Sequence, residues 1–594
     1  MKWEYRWDIV DGPTRSGSLL NEEKKLALPV LLDIHNRALE GEDILVDAPS
    51  GGWDRDDLRM EFDAKEGSVH PFAEECLRTA LVDMGVPTLS RAPGILSFGL
   101  FEKDNELPIV SVPLFDVLFT GSSHLPTLFA RLMKEDPSHA PVYLPGAADG
   151  DNIELLFYMG CEVFDTSRAH RDAHEGWYYT DTGKTREEEV KRHTGEGLPC
   201  PVCAGEEGLA GHNVHMLRDR LSNAAMMLSM GRLRELVMSR LSGKPHLSSV
   251  LRRFECDNKE VLGIYASTYR KDHMRPVSYR EDLRDPDLAL WETRIEAQYE
   301  PPDWKDILLI VPCSAKKPYS RSRTHQRIYS ALSGIRRWRD RVHPVVLTSP
   351  LGVVPVELEE LYPAAHYDIP VTGEWYPEEL ERSRRMLKGI VEKGSYSRIL
   401  NLHRDGRLFF GDAQDQLFGV PYTDIMVEED PYASLKKTVE ELLRTGTHQL
   451  PEWPELEDAL ISIRFSMRCP GFSPEGARYH RSRRGREIRR GRETLFVFNE
   501  GGPVPGFEGG KELWEHLYAS GKGPLLQIDD FVPKGTIFNQ GVIDADPDIH
   551  AGDVVLVSHS DEYRGVGRAL VPGCMMNTDL KGPAVKMLRH IHTG

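Results

Sequence analysis

The sequence predicts a multidomain protein of α/β and α+β class, and three observations carry that prediction. From about residue 300 to about 445, short apolar runs alternate with amphipathic stretches (DILLIVPC, HPVVLTSP, PEELERSRRMLKGIVEK, RILNLH), the pattern of a doubly wound sheet. Leu525 to His592 divides into short strands broken at glycines, the pattern of a small β-barrel. A chain of 594 residues, at about 150 residues per domain, asks for roughly four domains. Their boundaries are placed at 1–250, 251–450, 451–521 and 522–594.

Composition sets the class. With 40% hydrophobic and 28% charged residues the chain is of ordinary globular make-up. The opening MKWEYRWDIVDG has no signal-like apolar core, and no run approaches the ~18 apolar residues that span a bilayer, so no membrane is expected. Eight mostly isolated cysteines in a chain this long argue for a reducing, cytoplasmic setting rather than a disulfide scaffold.

In the first domain, Val214, Leu217, Leu221, Ala224 and Leu228 recur at helical spacing and read as the core face of one long helix. Just before it, Cys200-Pro201-Val202-Cys203 is a zinc-type CxxC. In the second domain, Ile307–Val311 (ILLIV) is a continuous apolar run of the kind buried in parallel sheets, and Ile328, Leu332 and Ile335 mark a helix beyond it. Cys313 therefore falls at the carboxyl end of a strand, where open α/β sheets keep their ligand crevice. A free thiol titrates near ~8.5, and the adjacent Lys316 and Lys317 are expected to lower that value. In the third domain, DALISIRFSM, ETLFVF and KELWEHLYAS bracket seven arginines, Arg481, Arg483, Arg484, Arg486, Arg489, Arg490 and Arg492. The net charge of −19 speaks against nucleic acid as a partner, but local charge governs phosphate contact, and this cluster can neutralise several phosphates.

Pro312, Cys313, Lys317, Pro318, Tyr319, Ser322 and His325 fill in order a pattern of Pro-Cys, three residues, Lys-Pro-Tyr, two residues, Ser, two residues, His. On this motif, continued by His366–Gly373 (HYDIPVTG), the chain resembles the archaeosine synthases, paralogues of the archaeal tRNA-guanine transglycosylases. The resemblance implies a transferase that adds free lysine to the nitrile of 7-cyano-7-deazaguanine at position 15 in the D-arm of tRNA, followed by a radical-SAM partner that cleaves the adduct. A nitrile accepts a thiolate to give a thioimidate that an amine displaces, so Cys313 is assigned as nucleophile. His325 is the proton-transfer group, and Lys317, Tyr319 and Ser322 supply field and hydrogen bonds. Asp368 and Glu374 are carboxylates suited to the lysine's α-ammonium group. Three alternatives remain open: direct attack by lysine without a covalent step, base exchange as in the transglycosylases, and a noncatalytic tRNA-binding scaffold.

The flanking regions extend the resemblance. Residues 1–250 look like a shortened transglycosylase TIM barrel, with PVYLPGAADGDNIELLFYMGCEVFD ending on the family's aspartate position, Asp165. The base-holding Asp-Ser-Gly loop has no counterpart around PIVSVPLFDVLFTGSS, so Asp165 is read as a relic or an RNA contact. The family's zinc ligands map onto Cys200, Cys203 and His212, while the fourth ligand position is Leu198; His193, Cys161 and His215 are the other donors nearby in sequence. Residues 454–520 are similar to the small domain preceding the PUA module of archaeal transglycosylases. The last domain, with Gly535, Gly541, Gly552, Gly567 and Gly582 at its turns, looks like a PUA domain that grips the acceptor end of tRNA. Related transglycosylases also form homodimers.

Overall fold

A computed structural model describes residues 3–21, 25–32, 44–46, 60–67, 79, 97–102, 105–106, 109–112, 115–195, 208–270, 274–278, 280–370, 373–411, 415–445, 449–482, 485–499, 501–578 and 580–590. These divide into two compact units. The first comprises residues 1–265 with two short returns at 538–540 and 578–583; the second comprises the remainder.

In the first unit, β1 (Val30–Leu32), β2 (Val110–Ser111), β3 (Val142–Tyr143) and β4 (Cys161–Asp165) form a parallel sheet in the order β1-β4-β3-β2. All five residues of β4 are buried, because a parallel strand is covered on both faces. A three-stranded antiparallel sheet (Glu4–Asp11, Thr14–Leu20, Lys25–Leu28) precedes it. Helix α1 (Gly208–Ser229) buries Val214, Leu217, Leu221, Ala224 and Leu228, the stripe its spacing predicts. Of the expected barrel, the described residues show these four parallel strands as one open sheet.

The second unit is built around a six-stranded sheet. Its strands are β5 (Ile307–Pro312), β6 (Val342–Thr348), β7 (Gly352–Pro355), β8 (Arg398–Asn401), β9 (Gln416–Leu417) and β10 (Val420–Asp424), in the order β7-β6-β5-β8-β10-β9. The four inner strands are parallel, and β7 and β9 add antiparallel edges. Helix α2 (Pro286–Gln298) precedes the sheet, α3 (Arg323–Leu332) joins β5 to β6, α4 (Pro377–Lys393) leads into β8, and α5 (Pro431–Thr445) follows β10. The α3 crossover steps one way from β5 and the α4 crossover returns past it, so the strand order reverses at β5. Right-handed crossovers in opposite directions place α3 and α4 on opposite faces. Accordingly α3 packs with α5, and α4 with α2. Covered on both faces, Ile307–Val311 and the whole of β6 are buried, each large side chain worth about 1.5–3 kcal/mol.

Besides a two-stranded parallel pair, Arg275–Pro276 with Tyr367–Asp368, two larger sheets follow among the described residues. Arg478–Ser482, Gly485–Arg490, Glu493–Asn499 and Gly502–Pro505 form an antiparallel meander flanked by helices Pro454–Ser466 and Phe507–Tyr518. The last sheet orders Thr536–Phe538, Pro583–His590, Glu562–Ala569, Val554–His559, Leu525–Ile528 and Val542–Ala545. Gly552 earns its place there: its φ is +92°, and a Cβ would lie 2.5 Å from the Tyr269 nitrogen. Among the described residues no helix is long and apolar enough to cross a membrane.

Candidate active site at the end of the central strand

Strand β5 delivers Cys313 to the point where the strand order reverses, the crevice position of open α/β sheets. The register pairs Pro312 with Leu347 on one side and Ile310 with Asn401 on the other. Carried forward, it sets Cys313 between Thr348 at the end of β6 and the His403–Arg404–Asp405 loop after β8. The thiol is half-buried.

Around it lies a compact polar group. Tyr319 Oη and Tyr367 Oη are 2.5 Å apart, and Thr348 Oγ1 is 2.5 Å from Tyr367 Oη. Lys317 Nζ sits 3.9 Å above the Tyr367 ring, a cation–π contact that holds the ammonium without neutralising it. Burial pushes the Cys313 thiol above its ordinary range; Lys317 and a Thr348 hydrogen bond pull it down, and Asp405 pushes it up. The expected lowering by Lys317 is therefore present but outweighed. Lys317 itself is shifted below the usual ammonium range by burial, opposed by Cys313 and Asp368. Lys316 is exposed.

Two motif residues serve the loop rather than the crevice. Ser322 caps α3, its side chain accepting from the His325 N–H at 3.2 Å. His325 is 1% exposed, its ring stacks on Tyr319, and its Nε2 lies 2.8 Å from the Pro312 carbonyl oxygen. That contact makes Nε2 the donor, so the imidazole assigned to proton transfer instead fastens α3 to the residue before the thiol. Its pKa is lowered by burial, which keeps it neutral. Asp368 and Glu374 are both exposed, and of the two Asp368 lies close enough to act on Lys317.

Thr348, His403, Asp405 and Trp375 also belong to this end of the sheet and lie outside the motif. Each of the first three closes or directly follows an inner strand, and the strand-end rule applied to HPVVLT and RILNLHRD would have found them. Asn401 braces their loop, its Oδ1 accepting from His403 N at 2.9 Å and its Nδ2 donating to Asp424 at 3.1 Å. His403 Nδ1 accepts from Asp405 N at 3.2 Å, and burial lowers its pKa to about 4.

In the first unit, Asp165 ends β4 as expected but is 1% exposed. Its carboxylate accepts from Tyr143 Oη (3.0 Å), Gly146 N (2.7 Å), Ser167 N (2.8 Å) and Ser167 Oγ (2.5 Å). With its acceptor positions filled it is a structural brace, neither exposed to RNA nor open to a sugar. Cys200 and Cys203 lie outside the described residues, and among those described no three metal-ligating side chains converge. His212 Nε2 contacts the Tyr179 carbonyl at 2.8 Å, while Nδ1 is buried and has no hydrogen-bond partner among the described residues. Cys161 is fully buried in β4, its thiol against the Val142 and Val163 carbonyls, which removes it as a fourth ligand. His193 is exposed, and His215 lies 3.4 Å from Asp219.

The arginine cluster forms the first two strands and following turn of the meander. Arg486 pairs with Glu360, Arg489 with Glu487 at 2.7 Å, and Arg490 with Glu512 at 2.5 Å. Arg481 and Arg492 are exposed and make no ion pair among the described residues. Arg483 and Arg484 lie outside them.

A family model described as a domain of unknown function (DUF5591) matches residues 288–442, the span of the six-stranded sheet. An archaeosine synthase subunit alpha of Thermoplasma acidophilum is 30% identical over 458 residues, 75% of this chain and 81% of that protein. One from Methanosarcina acetivorans is 30% identical over 77% of this chain and 75% of that protein. An archaeosine synthase of Methanocaldococcus jannaschii is 24% identical over 96% of this chain and 98% of that protein. Proteins named tRNA-guanine(15) transglycosylase match at 22–24% identity. At 30% identity across four-fifths of the first of these relatives, with the motif cysteine at the sheet's reversal point, the chain belongs to the archaeosine synthase family.

Proposed function

We propose that this tRNA-modifying enzyme of archaeosine biosynthesis joins free lysine, through its ε-amine, to the nitrile of 7-cyano-7-deazaguanine at position 15 of tRNA, with Cys313 as nucleophile. One observation carries the reading: a half-buried thiol at the sheet's reversal point with an ammonium and three hydroxyls around it. The Cys313 Sγ adds to the nitrile carbon and the nitrogen takes a proton, giving a thioimidate. Lysine then adds to the same carbon, the C–S bond breaks, and the sulfur leaves as thiol with an amidine formed. Lys317, held below its ordinary range by burial, is the proton donor for the thioimidate nitrogen in place of His325. Tyr319 and Thr348 orient Tyr367 beneath it.

The sheet order favours a doubly wound catalytic domain, and the four parallel strands of the first unit favour a reduced transglycosylase barrel without base exchange, since Asp165 is sealed. The C-terminal strands act as a PUA module on the acceptor end. A radical-SAM partner consumes the lysyl adduct, and dimerisation follows the transglycosylase pattern. His212 fits a structural zinc: a ring fixed through Nε2 on a carbonyl, with Nδ1 unpartnered among the described residues, is the arrangement of a metal-bound histidine. Cys200 and Cys203 would complete three of its four donors, and metal content of the purified protein with and without Cys200→Ser tests this.

Incubation with cyano-base tRNA and labelled lysine is the decisive experiment. Label is expected in tRNA with the wild type and absent with Cys313→Ser, while tRNA affinity stays unchanged. Substantial transfer by the variant rejects the covalent route; labelled guanine exchanging into tRNA in an Asp165-dependent manner would favour the transglycosylase alternative.

A further inference from the structure

A carboxylate beside the nucleophile works against thiolate formation, and Asp405 is such a carboxylate. Its surroundings suggest what it does instead. The loop carrying it leaves β8 at Asn401, paired with Ile310, and runs on past the end of β5 where Cys313 stands. Trp375 Nε1 donates to Asp405 Oδ2 at 3.3 Å and fixes the group, while Oδ1 makes no hydrogen bond or ion pair among the described residues. Three rings stand together at this end of the crevice: Trp375 and Phe409 at 4.8 Å, His403 and Phe409 at 5.0 Å, and Trp375 and His403 at 5.8 Å between centroids. His403 Nδ1 is occupied by the Asp405 N–H, so the ring is a neutral wall rather than a base. A fixed carboxylate with one open oxygen beside an aromatic cluster is the arrangement that receives an alkylammonium ion.

We propose that Asp405, backed by Trp375 and flanked by the rings of His403 and Phe409, seats the cationic amino group of the incoming amine next to Cys313. The inference rests on the amine-transfer reading above and assigns the donor's position within it. The amine arrives protonated, and Asp405 holds it until the thioimidate forms. It then loses its proton to solvent or to the carboxylate and adds to the carbon as the C–S bond breaks. Lys317 sits over Tyr367, which Thr348 holds at the end of β6, whereas Asp405 follows β8; its charge repels a second cation and confines the donor to the Asp405 side.

Asp405→Asn tests the seat in three readings. In single-substrate assays with cyano-base tRNA, the KM for lysine is expected to rise about 10- to 100-fold, the worth of a charged hydrogen bond. With hydroxylamine, uncharged at neutral pH and needing no ammonium seat, the rate of tRNA modification is expected not to fall below that of the wild type. Denaturing gels without any amine are expected to show the same covalent tRNA–protein adduct in both. Site-resolved alkylation supplies a substrate-free check: the Cys313 inflection, raised by burial and adjusted by Lys317, Thr348, Asp405 and the neighbouring Tyr319 and Tyr367, is expected to move to lower pH in the variant. An unchanged KM for lysine, or an equal loss with lysine and hydroxylamine, overturns the seat. A wild type that incorporates no lysine overturns the reaction reading itself.

Discussion

Cys313 and Lys317 lower each other's tendency to be neutral, yet burial wins on both: the thiol lies above its ordinary range and the ammonium below. The resting pair is therefore a protonated thiol beside an acid that parts with its proton easily, suited to adding S–H across a triple bond in stages. Removing the ammonium takes away the largest influence favouring thiolate, so Lys317→Gln is expected to shift Cys313 alkylation to higher pH, measured by site-resolved mass spectrometry across pH 7–10.5. His403 gives a second titration. Its folded pKa of about 4 lies below the unfolded value near 6.5, so the unfolded chain binds the extra proton between those limits. Stability from this group is full above pH 6.5 and declines as pH falls toward 4, by about 2 kcal/mol between pH 7 and pH 5. His403→Gln is expected to flatten that part of the acid dependence of the denaturation midpoint, and an unaltered dependence would remove His403 as its source.

At the level of elements, β5, the Cys313 loop and α3 behave as one device. The buried strand fixes where the loop starts, Ser322 fixes where the helix starts, and His325 ties the two together through the Pro312 carbonyl. Ser322→Ala is expected to cost about 1 kcal/mol as a lost cap. It is also expected to reduce lysine transfer, since the helix start and the thiol share one anchor; full activity at reduced stability would show that the anchor is not needed for chemistry. This device was half legible in the sequence. The apolar run Ile307–Val311 and the helical spacing of Ile328 and Leu332 gave strand, loop and helix, because buried strands and amphipathic helices write their period into the chain. The direction of each motif side chain was not legible: whether His325 faces the crevice or the backbone depends on where α3 docks. Thr348 and Asp405 were legible only through the strand ends that carry them, and Trp375 was not legible at all, because it meets Asp405 from a loop 30 residues earlier in the chain.

Over the whole molecule the problem is a net charge of −19 set against a polyanionic substrate. Long-range attraction to tRNA is weak on that balance, so binding depends on local basic surface at distances within the ~8–10 Å over which salt leaves charges visible. The arginine meander supplies it unevenly. Arg486, Arg489 and Arg490 already hold carboxylates, and breaking those pairs offsets part of what a phosphate contact returns, whereas Arg481 and Arg492 stand exposed without such partners. The expected outcome is graded. Arg481→Ala and Arg492→Ala should each lower the dependence of log Kd on log salt by about one phosphate equivalent, roughly 0.7–0.9. Arg490→Ala should change it by less, because Glu512 and Glu493 already neutralise that guanidinium. Filter-binding titrations between 50 and 300 mM salt measure this directly. Equal slopes for all three variants and the wild type would remove the meander from the tRNA contact and leave recognition to the C-terminal sheet.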